Sequence, residues 1–466
     1  MKMFNPKTYI SRRKQLKSQF QSGLLLFLGN DESSMNYHDN TYHFRQDSSF
    51  LYYFGLDEQA GLAGLIDLDN DRDFIFGDDF TIDDVVWMGS MPTIRERSEG
   101  SGIVHSGSLK DLGELLSKAQ SAKRAIHFLP AYRPEHQIKL FNWLNIPVNG
   151  TNEHASLELI TAVGEQRNKK STEEIEQLEQ VVSVTSDMHT AAMQFARPGM
   201  TEAQVAAKVY EVALAAGGSI SFPIIATING QTLHNHYHGN IIREGDLFLL
   251  DAGAENQLRY AGDMSSTFPV SQKFSEKQKD IYQVALDAHN AAIEAIKPGV
   301  NFKEIHFTAA RMIFEGLKTL GFTKGDTEEA IQSGAHALFF PCGTGHLMGL
   351  DVHDMENLGE QYVGYAGEPK STLFGLKSLR LGRELQPGYV VTIEPGIYFI
   401  PELIDLWRSQ DKFSSFINYD KVETYRHFGG LRNEEDILVT ESGYRILGKP
   451  LAKSIADVEA ERAKAF

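Results

Sequence analysis

Four acidic side chains stand where apolar runs end, and any fold that buries those runs must find partners for the acids. Leu247-Phe248-Leu249-Leu250 runs into Asp251-Ala252-Gly253, and a second stretch leads to Ala261-Gly262-Asp263-Met264-Ser265. Val390-Val391-Thr392-Ile393 ends in Glu394-Pro395-Gly396, and Arg432-Asn433-Glu434-Glu435-Asp436 precedes Ile437-Leu438-Val439. Short apolar runs bounded by Gly, Pro or Asp read as buried strands. An acid at such a place is costly to bury unless it is paired or bound to a cation. Four of them in one region point to a metal centre. Each also has a plainer account when taken singly. Asp before Ala-Gly is a common turn residue, Glu394 before Pro suits a capping acid, and Glu434 can pair with Arg432.

The histidines carry a similar ambiguity. His234, His236 and His238 alternate, so on a strand all three would face one side. That face is either a three-histidine metal site or a row of solvent-facing polar residues. His346 lies between glycine-rich turns, and His353 follows it between Asp351 and Asp354. The generic catalytic motifs are missing: no His-Glu-x-x-His helix, no Gly-x-Ser-x-Gly elbow and no Gly-Lys-Ser/Thr phosphate loop. Gly343 to Gly349 has one residue too many before its last glycine for a dinucleotide fingerprint, and it lacks the strand–helix–strand frame.

At 466 residues the chain exceeds what one core usually holds, which implies two domains. The first third alternates strands and helices. Gly23 to Leu28, Gly64 to Asp67, Phe74 to Phe76 and Ala125 to Leu129 read as strands, with a hairpin turn over Leu68 to Arg72 and a helix through Leu112, Leu115, Leu116 and Ala119. This predicts a self-contained α/β domain over residues 1–165. Ser171-Thr172-Glu173-Glu174 then opens a helix that Pro198-Gly199 stops. Two amphipathic helices, Thr201 to Ala216 and Ser275 to Ile296, follow in a second domain over 166–466. Acids outnumber bases, 62 to 45, which argues against a nucleic-acid partner, since neutralising phosphates takes clustered Lys and Arg. A single cysteine excludes a disulfide framework and a thiolate zinc cluster. No segment approaches the roughly 18 apolar residues of a membrane span, and Leu24 to Leu28 is too short and too late for a secretory signal. The expectation is a cytoplasmic protein without a membrane partner.

The segments Asp251 to Glu255, Ala261 to Pro269, Gly343 to Asp354, Thr392 to Tyr398 and Gly429 to Asp436, in this order and spacing, closely resemble the metallopeptidase family of Xaa-Pro aminopeptidase (aminopeptidase P) and Xaa-Pro dipeptidase (prolidase). Phe44 to Phe50 with Tyr52-Tyr53-Phe54-Gly55 is similar to that family's N-terminal domain. The resemblance implies an α/β (α+β) protein, an N-terminal α/β domain followed by a pita-bread catalytic domain with two divalent metal ions. Carried over, Asp251, Asp263, His346, Glu394 and Glu434 would be the ligands. An oxygen-rich set of this kind favours Mn2+, with Co2+ or Zn2+ as alternatives. Glu394 would also be the general base or proton carrier. His234 and His353 would hydrogen-bond the tetrahedral intermediate and help a proton reach the proline nitrogen. Arg432 would orient Glu434 or substrate, and Arg380 matches the arginine that takes a dipeptide's carboxylate. His236 and His238 receive no role. The implied substrate is a peptide or dipeptide with proline second, and the implied assembly is a homo-oligomer, dimer or tetramer.

The chain departs from the family pattern in three places. Eleven residues separate Asp251 from Asp263, one more than expected, and the surplus fits the turn near Asn256 to Arg259. Cys342 stands where relatives commonly have a histidine, its thiol being either oxidation-sensitive or an inert buried group. Asn433 replaces an aliphatic residue. The Asp251 to Pro269 region favours an aminopeptidase, whereas Gly375 to Arg380 and Phe399 to Phe428 look more like prolidase. A non-catalytic pita-bread module is disfavoured because all five ligand positions keep suitable residue types. A creatinase-type hydrolase would lack this ligand set, and a methionine aminopeptidase would lack the N-terminal domain.

Overall fold

Leu24–Leu28 forms a strand because five apolar residues in succession suit a position covered on both faces. It is one of the interior strands of the sheet in the first of two compact units. The computed structural model describes residues 3–466. The first unit comprises residues up to Arg167 together with Met355–Val363, and the second comprises Asn168–Asp354 with Gly364–Phe466.

In the first unit, β1 (Leu24–Leu28), β2 (Ala63–Asp67), β3 (Arg72–Phe76), β4 (His105–Gly107) and β5 (Ile126–Phe128) form one sheet in the order β4-β3-β2-β1-β5. The turn expected at Leu68 to Arg72 joins β2 to β3 as an antiparallel hairpin in which Asp67 pairs with Arg72. Leu112, Leu116 and Ala119, one face of the helix Leu109–Ser121, pack with Leu24, Leu26, Leu65 and Phe76 in the core. The helix Ile82–Met88 buries none of its residues, and Trp87 is 86% exposed.

The second unit opens with a capped helix. The Ser171 side chain accepts from the Glu174 N–H while the Ser171 N–H donates to the Glu174 carboxylate, so two otherwise orphaned donors are satisfied at the start of Thr172–Phe195. The amphipathic segments fold as expected, into Glu202–Ala215 behind Thr201 and Glu276–Glu294 behind Ser275. The strands are β6 (Ser219–Ile220), β7 (Ile225–Thr227), β8 (Leu247–Ala252), β9 (Ala254–Glu255), β10 (Met264–Pro269), β11 (Val390–Ile393), β12 (Gly396–Tyr398), β13 (Gly430–Arg432), β14 (Glu435–Val439) and β15 (Tyr444–Ile446). They build two three-stranded sheets, β10-β8-β7 and β11-β14-β15, and the pairs β12-β13 and β6-β9.

His234 to His238 is not a strand. The segment follows a turn in which the Thr232 N–H donates to Asn229 O, and it continues as a loop without a ladder partner. Asn235 donates to the Thr227 hydroxyl and His238 Nε2 lies 3.0 Å from Ile224 O. These local side-chain bonds replace the sheet bonds that a strand would need, so the three histidines do not form one face.

Candidate metal centre

Pairing register, more than sequence proximity, assembles the acids. In the antiparallel pair β8–β10, Asp251 lies opposite Ser265. Asp263 is two residues before Ser265 and falls on the same face. At the turn of this hairpin Arg259 adopts a left-handed φ of 66° and the Asn256 side chain accepts from the Leu258 and Tyr260 N–H groups. On the other side, Ile393 pairs with Glu435 and Gly396 with Arg432. The two ladders share one register, which places Glu394 opposite Glu434. Like charges directly opposed across strands repel. Gly345 lets the fifth group approach, since a Cβ there would sit 1.9 Å from Thr392 O. His346 and Thr392 then exchange a bond, Thr392 N–H to His346 O at 2.9 Å.

All nine residues named from the sequence line one cavity of about 560 Å3: His234, Asp251, Asp263, His346, His353, Arg380, Glu394, Arg432 and Glu434. Asp263, His346 and Glu434 each bring a donor atom to within 4.8 Å of the others. His346 Nε2 lies 3.4 Å from Asp263 Oδ2 and 3.6 Å from Glu394 Oε1. Its Nδ1 is 3.0 Å from Leu347 O. A carbonyl oxygen can only accept, so Nδ1 carries a proton, and Nε2 is the ring nitrogen turned toward the acids. Asp251 is held by Arg432, whose Nη2 is 2.6 Å from Asp251 Oδ2. Arg432 also donates from Nε to Ser265 Oγ at 2.8 Å, and Ser265 Oγ donates to Glu434 Oε2 at 2.8 Å. One guanidinium therefore orients Asp251 directly and Glu434 through a hydroxyl.

The carboxyls are in electrostatic conflict. Burial first, and Asp251 second, push Asp263 up to about 8. Burial pushes Glu394 up to about 7, with Asp263 and Asp251 adding to the rise and His346 and Arg432 opposing it. Glu434 is driven well above the usual carboxylate range by burial and by Asp263, Glu394 and Asp251. Asp263 Oδ1 and Glu434 Oε1 are buried without a hydrogen-bond partner. Desolvated, mutually repelling acids with orphaned oxygens around an imidazole lone pair are a donor set for divalent cations, and the residues present fit such ions.

The remaining groups ring this cluster. The His353 and His346 rings stand 4.4 Å apart, edge to face. His234 is exposed at the cavity wall, and partial desolvation lowers its imidazole pKa, with Arg432, Arg380 and His353 acting in the same direction. His236, given no role from the sequence, also lines the cavity, whereas His238 does not. Cys342 lines the cavity 4.0 Å from Tyr398 OH, and burial and Glu394 push its thiol up to about 12, which favours the thiol over the thiolate. Three supporting residues escaped the sequence reading. Tyr398 OH accepts from Arg432 Nη1 at 2.7 Å, Ser265 links Arg432 to Glu434, and Asp436 Oδ2 accepts the Asp263 N–H at 3.0 Å. Asp436 lies in β14, two residues past Glu434.

Comparison with known proteins places these features in a family. Residues 176–441 match the profile of metallopeptidase family M24, and residues 9–127 that of the aminopeptidase P N-terminal domain. The human Xaa-Pro dipeptidase is 30% identical over 460 residues, covering 94% of this chain and 89% of that protein. The Xaa-Pro aminopeptidase of Escherichia coli K12 is 29% identical over 469 residues, covering 96% of each. Among solved structures, Pseudomonas aeruginosa aminopeptidase PepP superposes with a TM-score of 0.81 at 25% identity, covering 100% of this chain and 99% of that one. Zinc-substituted E. coli aminopeptidase P in complex with product gives 0.80 at 25%, covering 100% of both.

Proposed function

The chain belongs to metallopeptidase family M24, with an aminopeptidase P N-terminal domain ahead of a pita-bread catalytic domain, and we propose that it is a dinuclear-metal Xaa-Pro aminopeptidase. The observation that carries this reading is the convergence of Asp263, His346 and Glu434 donors within 4.8 Å, in a cavity that Asp251 and Glu394 also line. These five residues would hold two divalent ions, Mn2+ by the oxygen-rich donor set and Co2+ or Zn2+ as alternatives. When bound, the ions supply Lewis-acid polarisation of the scissile carbonyl and acidify a water.

The chain's own residues do the rest. Glu394 takes up and passes on the proton of the attacking water. The bond before proline joins a nitrogen without an N–H, and that nitrogen must gain a proton to leave. His353 and His234 line the same cavity and serve this transfer and the hydrogen bonding of the tetrahedral carbon's oxygen. Arg432 keeps Asp251 and Glu434 in place. The Asp251 to Pro269 stretch, which brings two of the acids to this cavity, favours the aminopeptidase. Arg380 in the cavity wall supports the second reading, an Xaa-Pro dipeptidase that binds the proline carboxylate. With added manganese, we expect efficient cleavage of Arg-Pro-Pro, measured by release of free arginine. Cleavage of Gly-Pro alone would overturn the aminopeptidase assignment in favour of the dipeptidase.

The exposed apolar helix Ile82–Met88 supports a homo-oligomer, since contiguous exposed apolar groups mark association surfaces. Sedimentation should give a mass of at least two chains, and a monomer at micromolar concentration would refute this. No described helix is long and apolar enough to cross a membrane, and a cytoplasmic location is part of the proposal.

A further inference from the structure

The segment Gly345 to Asp354 carries His346 and His353 but has almost no regular structure. Near His346 it is tied to β11 by a bridge between Leu347 and Val391 and by the Met348 N–H to Val390 O at 3.0 Å. Its far half, where His353 lies, is held at Asp354. The Asp354 N–H donates to Leu347 O at 2.9 Å, Asp354 Oδ1 accepts the Asp351 N–H at 3.3 Å, and Asp354 Oδ2 lies 3.0 Å from Lys170 Nζ. The two side chains of this ion pair are only 1% and 2% exposed. The pair is seated against the turn that follows His346, because a Cβ on Gly349 would lie 2.5 Å from Asp354 Oδ2 and 3.0 Å from Lys170 Cε. Gly349 O in turn accepts the Ala261 N–H at 2.9 Å, two residues before Asp263. Lys170 is anchored by its own N–H to Gly388 O at 2.9 Å, just ahead of β11.

A buried ion pair adds little net stability, since desolvation cancels most of the attraction. What it does supply is a short, directional, charge-assisted bond. We propose that Lys170 is a positioning residue, which through Asp354 fixes the His353 imidazole relative to His346. The proposal rests on the roles given above to those two histidines.

The test compares four proteins: wild type, Lys170→Met, Lys170→Arg and the uncharged pair Lys170→Met with Asp354→Leu. Two readouts are taken, hydrogen exchange of peptides covering residues 345–354 and steady-state kinetics on an Xaa-Pro tripeptide with saturating manganese. In Lys170→Met, exchange in the loop should rise about tenfold. There kcat should fall roughly tenfold to a hundredfold, while KM moves less than about threefold. Lys170→Arg should recover part of both. The uncharged pair should regain the wild-type Tm yet keep the fast exchange and the low kcat. Unchanged loop exchange in Lys170→Met, or an uncharged pair that regains kcat together with Tm, would overturn the proposal. A wild-type protein that cleaves no Xaa-Pro substrate would defeat the functional reading instead, and loop exchange would still decide the role of Lys170.

Discussion

Glu394→Gln should reduce kcat on Xaa-Pro substrates by about a thousandfold, in the upper range of what a positioned general base contributes. The side chain has a dual place in the site, with Oε1 3.6 Å from His346 Nε2 and Oε2 4.0 Å from Arg432 Nε. Glutamine has nearly the same shape, and the backbone bond from the Glu394 N–H to Thr344 O at 2.7 Å is untouched. The amide cannot accept the proton that the carboxylate takes up. The fold has no reason to suffer: burial already disfavours the charge on Glu394, so removing it relieves repulsion from Asp263 and Asp251. The metal-free variant should therefore have a Tm equal to or above that of the wild type. Kinetics across a manganese titration separate weakened metal binding from lost proton transfer, because saturating metal would rescue only the former. Turnover above about a tenth of wild type at saturating metal would remove Glu394 from the assigned role.

The second large effect concerns metal and pH together. Without metal, Asp263 is pushed up to about 8 and Glu394 to about 7, from ordinary values of 3.8 and 4.5. The folded apo-protein therefore holds protons that the unfolded chain has released. The stability contributed by these groups is fully present below the unfolded values and is lost as pH rises through 7 to 8. Divalent cations replace those protons, so metal affinity and metal-dependent stabilisation increase with pH. Other groups act oppositely: His189 and His289 are buried and lowered to about 4, so they cost stability in acid. They do so with or without metal, and the difference between the two conditions cancels them. The Tm gained on replacing chelator with manganese should be small at pH 5.5 and reach about 5 °C or more at pH 8. A gain that stays constant or shrinks across that range would contradict the buried carboxyl cluster as the binding site.

Much of the architecture was legible because burial writes itself into local pattern. An unbroken Leu24 to Leu28 run has one good solution, an interior strand, and Leu112, Leu116 and Ala119 mark a helix face by their spacing. The helix starts expected at Ser171, Thr201 and Ser275 lie within a residue of those observed, and each of these side chains caps its helix. The alternating histidines do not make a strand, for a physical reason. Alternation describes which side a side chain takes if a strand exists, but the strand itself requires a partner, and Asn235 and His238 spend their bonds on Thr227 and Ile224 instead. In the site, the acids were found because Asp251 and Glu394 each end an apolar run and Asp263 and Glu434 each stand just ahead of a stretch read as a strand. Arg432 was expected to serve Glu434 or the substrate, and the structure places it directly on Asp251 and reaches Glu434 only through Ser265.

The sequence by itself determined the class of elements, the positions of the costly acids and, through five ordered segments, the family. Those properties depend on residues close together in the chain, where periodicity and turn chemistry act. The tertiary structure decided which acids share a face, which ring nitrogen of His346 is turned toward them, the desolvation of the Cys342 thiol, and the pairing of Lys170 with Asp354 across 184 residues. Each of these depends on strand register or on desolvation, and both come into being only when distant segments close on one another.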